Sequence, residues 1–320
     1  MRLLPDNEMK TLFFFFFYIF YSAIVFGQNK LPSKYKTQHV IVIVIDGPRY
    51  SETWGDESRR YIPRMVEMSK RGVVCTNFYN DGHTYTSSGH AAISSGFKQA
   101  LENKKGIELP QKPSFLQYYL KKTQANASKA WIITSKEKLW ILANCHDSTW
   151  KDQYTPSYSC GKADGGIGQR HDSLTFQKIM TVLKQDKPNL MLINFREPDH
   201  SGHKNDWKNY LKGIQDTDSL AWEIWKYIQK DSYYKDKTTL FVTNDHGRHL
   251  DGIKDGFVNH GDDCEGCRHI NLYAFGPDFK ENTIVNQRYV QVDISATIAE
   301  LLGFTMPHGQ GKVMESLFYE

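Results

Sequence analysis

The chain reads as an α/β protein: a doubly wound, mostly parallel sheet with helices on both faces. Three observations say so. Runs of β-branched and aromatic residues recur along it, stretches of helical spacing separate them, and no repeat or low-complexity linker divides residues 28–320. The first run, "HVIVIVID" at 39–46, is apolar at consecutive positions, which suits a strand buried on both faces. Further strands are expected at 72–79, 130–134, 189–195, 238–244 and 270–275. Helices are expected at 58–70, 88–96, 113–123, 172–185, 205–230 and 293–302. The segment 145–170 is rich in Gly, Ser, Tyr and Asp and reads as a surface excursion near the site. Its "GKADGGIG" lacks the GK[ST] of a phosphate-binding loop and follows no strand.

The 320 residues can build one large core, and residues 28–320 are read as one domain. A net charge of +4 with no concentrated Lys/Arg face gives no nucleic-acid-binding surface. The N-terminal "MKTLFFFFFYIFYSAIVFGQ" is apolar from Leu12 to Phe26, shorter than the roughly 20 residues a membrane span needs. Val25 and Gly27 precede Gln28 as a cleavage site would require, so residues 1–27 are read as a signal peptide rather than an uncleaved anchor. Export to the periplasm or beyond follows, with the membrane met only in transit.

Export makes disulfides possible. The cysteines are Cys75, Cys145, Cys160, Cys264 and Cys267, an odd number that leaves at least one unpaired. Cys75, in "GVVCTNFY", is expected to be a buried free thiol. Cys264 and Cys267 form a lone CxxC without the second pair of a four-cysteine zinc site, so a loop disulfide is expected there and zinc ligation is not.

In open α/β sheets, ligands collect beyond the carboxyl ends of the strands. Here those ends are crowded with carboxylates and imidazoles. Asp46 ends the first run, "REPDHSGH" follows 189–195 with Asp199 and His203, and "DHGRH" follows 238–244 with Asp245 and His246. His260 precedes the run at 270–275. Any one of these could be a helix cap or a surface histidine. Together they form the nitrogen and oxygen donor sets of a two-zinc site. The hydroxyl-rich "HTYTSSGHAAISSG" at 83–96 follows the second run, and by itself it reads as an N-cap leading into a helix.

The ordered motifs "VIVIDGPR", "TSSGHAAISSG", "PDHSGH", "TNDHGRH" and "NHGD" resemble the alkaline phosphatase superfamily, and within it the type I phosphodiesterase/nucleotide pyrophosphatase branch. The ending "VDISATIAELLGFTMPHGQGK" also resembles that family's closing helix and loop, and the similarity covers nearly all of 38–313. The resemblance implies two zinc ions, one held by Asp46, Asp245 and His246 with the nucleophile oxygen, the other by Asp199, His203 and His260. Matching the motif's histidine to His90 places the nucleophile at Thr86. A small phosphate ester is the implied substrate, cleaved through a covalent phospho-threonine. Phosphodiesterase relatives carry an asparagine where this chain has Gly89, so Asn80 and the helix-start amides are the expected replacements. Lys136 is a second expected substrate-binding residue. His249, Asp262 and His269 are expected to support the ligand histidines. The alternatives are a sulfuric-ester hydrolase, which would lack the usual C/S-x-P-x-R motif, a phosphotransferase, and a metal- or phosphate-binding protein without turnover.

Overall fold

The run at 39–46 forms strand β1 (His39–Asp46), every residue of it buried. Val40, Val42 and Val44 enter one apolar core, and Ile41, Ile43 and Ile45 enter another. Alternating side chains on a strand covered on both faces produce this division. The computed structural model describes residues 34–104, 106–162 and 168–320. The expected signal peptide, 1–27, lies outside them. Among the described residues no helix is long and apolar enough to cross a membrane.

The other strands are β2 (Gly72–Tyr79), β3 (Ala130–Thr134), β4 (Ser157–Cys160), β5 (Leu190–Pro198), β6 (Thr238–Asn244), β7 (His269–Phe275), β8 (Thr283–Val285) and β9 (Tyr289–Val290). They form one sheet in the order β4-β3-β5-β1-β6-β7-β2-β8, with β9 also paired to β2. Only β7 runs antiparallel to its neighbours. The loop from the end of β6 to the start of β7 therefore leaves and re-enters the sheet at the same edge. That edge is also where β1, β2 and β5 end.

The helices are α1 (Pro63–Ser69), α2 (Thr86–Ser95), α3 (Phe115–Thr123), α4 (Asp172–Gln185), α5 (Asp199–His203), α6 (Trp207–Lys230), α7 (Glu265–Arg268) and α8 (Val292–Leu302). Residues of α2, α3 and α8 fill the core under the valines of β1, and those of α1, α4 and α6 fill the isoleucine side. The doubly wound architecture is thus as the sequence predicts.

Several boundaries differ for local reasons. The helix expected at 58–70 begins only at Pro63, because a residue before proline is pushed out of the helical region, and Ile62 has φ −129°. Asp218 of α6 then accepts from the amides of Arg64 and Met65, satisfying the exposed first turn of α1. The helix expected at 205–230 begins at Trp207, capped by Asp206 accepting from the Asn209 amide. The preceding "DHSGH" forms the separate short helix α5, and Asn205, at φ 55°, lies between the two.

Candidate active site

Asp46 closes β1, and Gly47 turns the chain with φ 66°. A Cβ on Gly47 would lie 3.0 Å from the Asp199 side chain and 3.1 Å from the Arg248 guanidinium, so glycine lets both approach the first aspartate. Thr86 is the first residue of α2 and is buried. One turn later, His90 Nδ1 lies 2.9 Å from the Thr86 carbonyl and 3.3 Å from Asp245 Oδ2. His90 therefore ties the start of the helix to the aspartate that follows β6.

The expected ligands gather in two adjoining groups. In the first, His246 Nε2 lies 3.6 Å from Asp46 Oδ1, 3.4 Å from Asp245 Oδ2 and 3.5 Å from Thr86 Oγ1. In the second, Asp199 Oδ1 lies 3.3 Å from His203 Nε2 and 3.4 Å from His260 Nε2, with the two imidazole nitrogens 3.2 Å apart. The rings of His246 and His260 stack at 3.6 Å and join the groups. His246 is oriented by its Nδ1 contact with the Gly247 carbonyl and His260 by its contact with the Thr84 carbonyl, at 2.9 and 2.7 Å. Such contacts put the proton on Nδ1 and leave Nε2 as the donor to a metal.

A metal fits this donor set. Asp245 Oδ2 is fully buried and makes no well-formed hydrogen bond; it faces imidazole nitrogens of His90 and His246, at 3.3 and 3.4 Å. Asp46, Asp245 and His246 form one potential ligand group, and Asp199, His246 and His260 another. Carboxylates, neutral imidazoles and a hydroxyl suit zinc. His203 meets a competing demand. Arg248 Nη2 lies 3.3 Å from its Nδ1 and can only donate, so in this contact the proton sits on Nε2. Ligation through Nε2 requires His203 to give up that contact, and its half-exposed side chain has room to move.

Lys136 stands between the groups, 2.8 Å from Asp46 Oδ1, 2.6 Å from Asp199 Oδ2 and 3.2 Å from Thr86 Oγ1. Burial works against its charge, but Asp199, Asp46 and Asp245 hold it protonated well above the ordinary lysine range. Burial also opposes ionisation of Asp199, yet Lys136 and Arg248 outweigh it and hold the carboxyl well below the usual range. Burial and the neighbouring Asp245 push Asp46 far up. Burial keeps the His246 ring neutral.

Of the Thr and Ser hydroxyls at 84–88, Thr86 alone reaches these groups. Thr84 donates to the Asp262 carbonyl, and Ser88 accepts from the Leu101 amide. Ser87 Oγ is buried without a partner and does not line the cleft. An open cleft of about 570 Å³ runs past Thr86 and Lys136 and is lined further by Asn103, Lys138, Trp140 and Gln169. The excursion at 145–170 thus does border the site, through Gly168 and Gln169, while its residues 157–160 add β4 to the sheet.

Three expectations require correction. Asn80 is not turned to the cleft: its side-chain amide donates to the carbonyls of Asp245 and His83 and accepts from the Gly82 amide. Asn103, which sequence reasoning missed, lines the cleft instead, its Oδ1 fixed by the Ser87 amide and by Lys138 Nζ. The second correction concerns the supporting residues. His249 and Asp262 face each other at 3.2 Å rather than the ligand histidines, and His269 lies between the rings of Tyr50 and Tyr79. The third is the disulfide. All five cysteines are free thiols, Cys75 buried among them as expected, and Cys264 and Cys267 stand unlinked beside His249 and Asp262.

Gly89 explains the departure from the asparagine pattern. A Cβ there would lie 2.5 Å from the Asp245 carbonyl oxygen, so the close packing of α2 on the β6 end excludes any side chain. Arg248 was also missed, although it sits inside the "DHGRH" motif. Its buried guanidinium bonds to Asp199 and to the carbonyls of Phe257 and Val258.

Fold and site together define an α/β protein with candidate metal-ligand groups and a hydroxyl at the carboxyl edge of its sheet. A sequence model of the Sulfatase family matches residues 38–304, and the chain belongs to that family, within the alkaline phosphatase superfamily. It is 31% identical over 140 residues to a phosphopentomutase of Clostridium novyi, a stretch covering 43% of this chain and 32% of that protein. A phosphopentomutase of Herpetosiphon aurantiacus is 27% identical over 169 residues, 49% of this chain and 40% of its own. The chain thus spans well under half the length of these relatives. In fold it is similar to the phosphonate monoester hydrolase of Silicibacter pomeroyi (TM-score 0.64, 11% identity, 87% of this chain and 76% of that one). It is likewise similar to murine ectonucleotide pyrophosphatase/phosphodiesterase 5 (TM-score 0.62, 16% identity, 88% and 100%). An inactive variant of the murine protein, with one threonine changed to alanine, has been crystallised with AMP.

Proposed function

We propose that the chain hydrolyses small phosphoric esters with the aid of zinc, using Thr86 as its nucleophile. The observation that carries this reading is the meeting of Thr86 Oγ1 with His246 Nε2 and Lys136 Nζ at the floor of the cleft, 3.5 and 3.2 Å away. Asp46, Asp245 and His246 would hold one zinc ion, and Asp199, His203 and His260 the other. Bound there, zinc supplies Lewis acidity that makes a neighbouring hydroxyl far more acidic than in water.

The chain's own groups account for the remainder. Lys136, Lys138 and Asn103 offer a lined, cationic seat for an anion, and α2 begins beside it with its amides and dipole favouring negative charge. Thr86 Oγ1 bonds to phosphorus as the bond to the opposite ester oxygen breaks, and the threonine proton passes through cleft water to the departing alcohol. Water then attacks phosphorus, the bond to Thr86 breaks, and the hydroxyl is restored. The inactive threonine-to-alanine variant of the murine neighbour shows that a threonine matters to that protein, in keeping with a threonine nucleophile here.

The phosphopentomutase likeness favours a second reading, in which the phospho-threonine passes its phosphoryl group to a sugar hydroxyl instead of water. A sulfuric-ester hydrolase is less well supported, since Thr86-Ser87-Ser88-Gly89-His90 lacks the C/S-x-P-x-R pattern. The leader-like N-terminus supports an exported enzyme. The test is zinc-loaded protein assayed on matched phosphate monoester, diester, phosphonate and sulfate esters, with and without a sugar acceptor. Turnover of the phosphorus esters supports hydrolysis, and product formed only with the acceptor supports transfer. Zinc bound without turnover of any substrate would leave a binding protein.

A further inference from the structure

We propose that His249, Asp262, Cys264 and Cys267 form a separate, structural metal site that takes one zinc ion. One donor atom from each lies within 4.8 Å of all the others. Zinc bonds of about 2.0–2.3 Å separate tetrahedral neighbours by about 3.3–3.8 Å, so only small side-chain movements are needed. The four come from both sides of one loop. His249 follows the end of β6, Asp262 lies thirteen residues on, and the CxxC wraps the short helix α7, where the Cys267 amide donates to the Cys264 carbonyl at 3.1 Å.

His249 is prepared as a ligand. Its Nδ1 lies 2.6 Å from Asp255 Oδ1, which places the ring proton there. Its Nε2 then carries the lone pair, and that atom is buried, without a hydrogen-bond partner, 3.2 Å from Asp262 Oδ2. An orphaned imidazole nitrogen facing a carboxylate and two thiols is costly; Lys254 Nζ meets the carboxylate oxygen but leaves the imidazole lone pair without a partner, which a metal among the four would use. The other Asp262 oxygen accepts from the Cys264 amide at 3.0 Å, which orients the carboxylate. Charge balances as well. Two thiolates and one carboxylate exceed the charge of Zn²⁺ by one, and Lys254 is already paired with Asp262. The sulfur, imidazole and carboxylate mixture selects zinc over magnesium or calcium.

None of the four lines the cleft, yet the site binds the loop that delivers two of the cleft's candidate ligands. His246 lies three residues before His249, and His260 two residues before Asp262. Backbone bonds from Gly247 to Cys267 and from His249 to Asn259, at 2.8 and 3.1 Å, run between the same strands of the loop. A metal here would hold the stacked His246 and His260 rings in register without meeting substrate.

The test uses the full chain purified with zinc and, separately, with cobalt substituted for zinc. The expected cobalt protein has a thiolate-to-metal charge-transfer absorption in the near ultraviolet. That band persists in Asp46→Asn, whose change lies in the cleft, and vanishes in the Cys264→Ser/Cys267→Ser double variant, which also loses one equivalent of zinc. Three results would overturn the proposal: a wild-type cobalt spectrum without the thiolate band, unchanged zinc content in the folded double variant, or a Cys264–Cys267 disulfide in the intact mass of the metal-loaded protein. Should the double variant fail to fold, the wild-type spectrum and mass still decide. Neither readout involves ester turnover, so failure of the proposed activity would not be mistaken for failure of this site.

Discussion

Replacing Lys136 with methionine separates the roles of its ammonium in the metal-free and metal-loaded protein. The group is almost fully buried and pairs with Asp46 and Asp199 at 2.8 and 2.6 Å. Removing one partner of a buried ion pair costs about 3–5 kcal/mol, because the remaining charge stays desolvated. Protonation of Asp46, whose carboxyl burial already pushes well up, relieves part of that cost and places the expected loss near about 3 kcal/mol. With a urea dependence near 3 kcal/mol per molar, the unfolding midpoint of chelator-treated K136M should fall by about 1 M. Zinc should reverse most of the deficit. In wild type an incoming dication meets an ammonium already seated among the aspartates, and in the variant it meets only the carboxylates. A hundredfold gain in zinc affinity would restore about 2.7 kcal/mol. Urea titrations of both proteins with chelator and with saturating zinc measure the four stabilities. Equal stability of the chelated proteins, or the same zinc increment in both, would refute the reasoning that Lys136 stands in for metal charge.

Thr86→Ala should lower turnover by several orders of magnitude, while Ser87→Ala and Ser88→Ala should cost about tenfold or less, roughly 1.4 kcal/mol. Acid-quenched wild type should carry phosphate on the Thr86 peptide, and phosphate on another residue of that peptide would contradict the assignment. Lys138 should govern a pH dependence, since burial and then Lys136 lower its pKa to about 8. Above that pH the cleft loses a positive charge, so KM for an anionic ester should rise between pH 7 and 9 in wild type. It should stay flat in Lys138→Gln, and parallel profiles in the two proteins would count against this role. His39 should govern acid stability. Burial lowers its pKa from 6.5 to about 4, so between those values the unfolded chain binds the proton that the folded chain refuses. Its contribution is full above pH 6.5 and disappears as pH falls toward 4, a loss of about 3 kcal/mol. Urea unfolding at pH 7 and 4.5 should show a smaller drop in His39→Gln than in wild type.

The strands β1, β2, β3 and β6 were legible to the residue because each is built around a short run of buried apolar residues. β4 was not, since "SYSC" is an edge segment with Tyr158 half exposed, and its pairing with β3 leaves no apolar signature. The short helix α5 was hidden inside a motif read for its Asp199 and His203 and too short to show helical spacing. The aspartates and histidines of the cleft were legible because chemistry at strand ends is a matter of position along the chain. What stayed hidden depends on approach through space. Asn80 has a suitable side chain, but its amide is spent on the Asp245 carbonyl, while Asn103 lies in a loop with no motif around it. The CxxC looked partnerless because His249 and Asp262 join it only after the loop between β6 and β7 folds back on itself.

The contact between Gly89 and the Asp245 carbonyl also constrains how this sequence could change its substrate preference. An asparagine cannot be introduced at residue 89 by a single substitution without driving apart the helix that carries Thr86 and the strand end that carries His246. Mutational paths toward phosphodiester specificity must therefore recruit a donor from elsewhere on the rim. Asn103 is already held over the start of α2 by the Ser87 amide. A library built to shift specificity should vary residues 101–104 and leave Gly89 untouched.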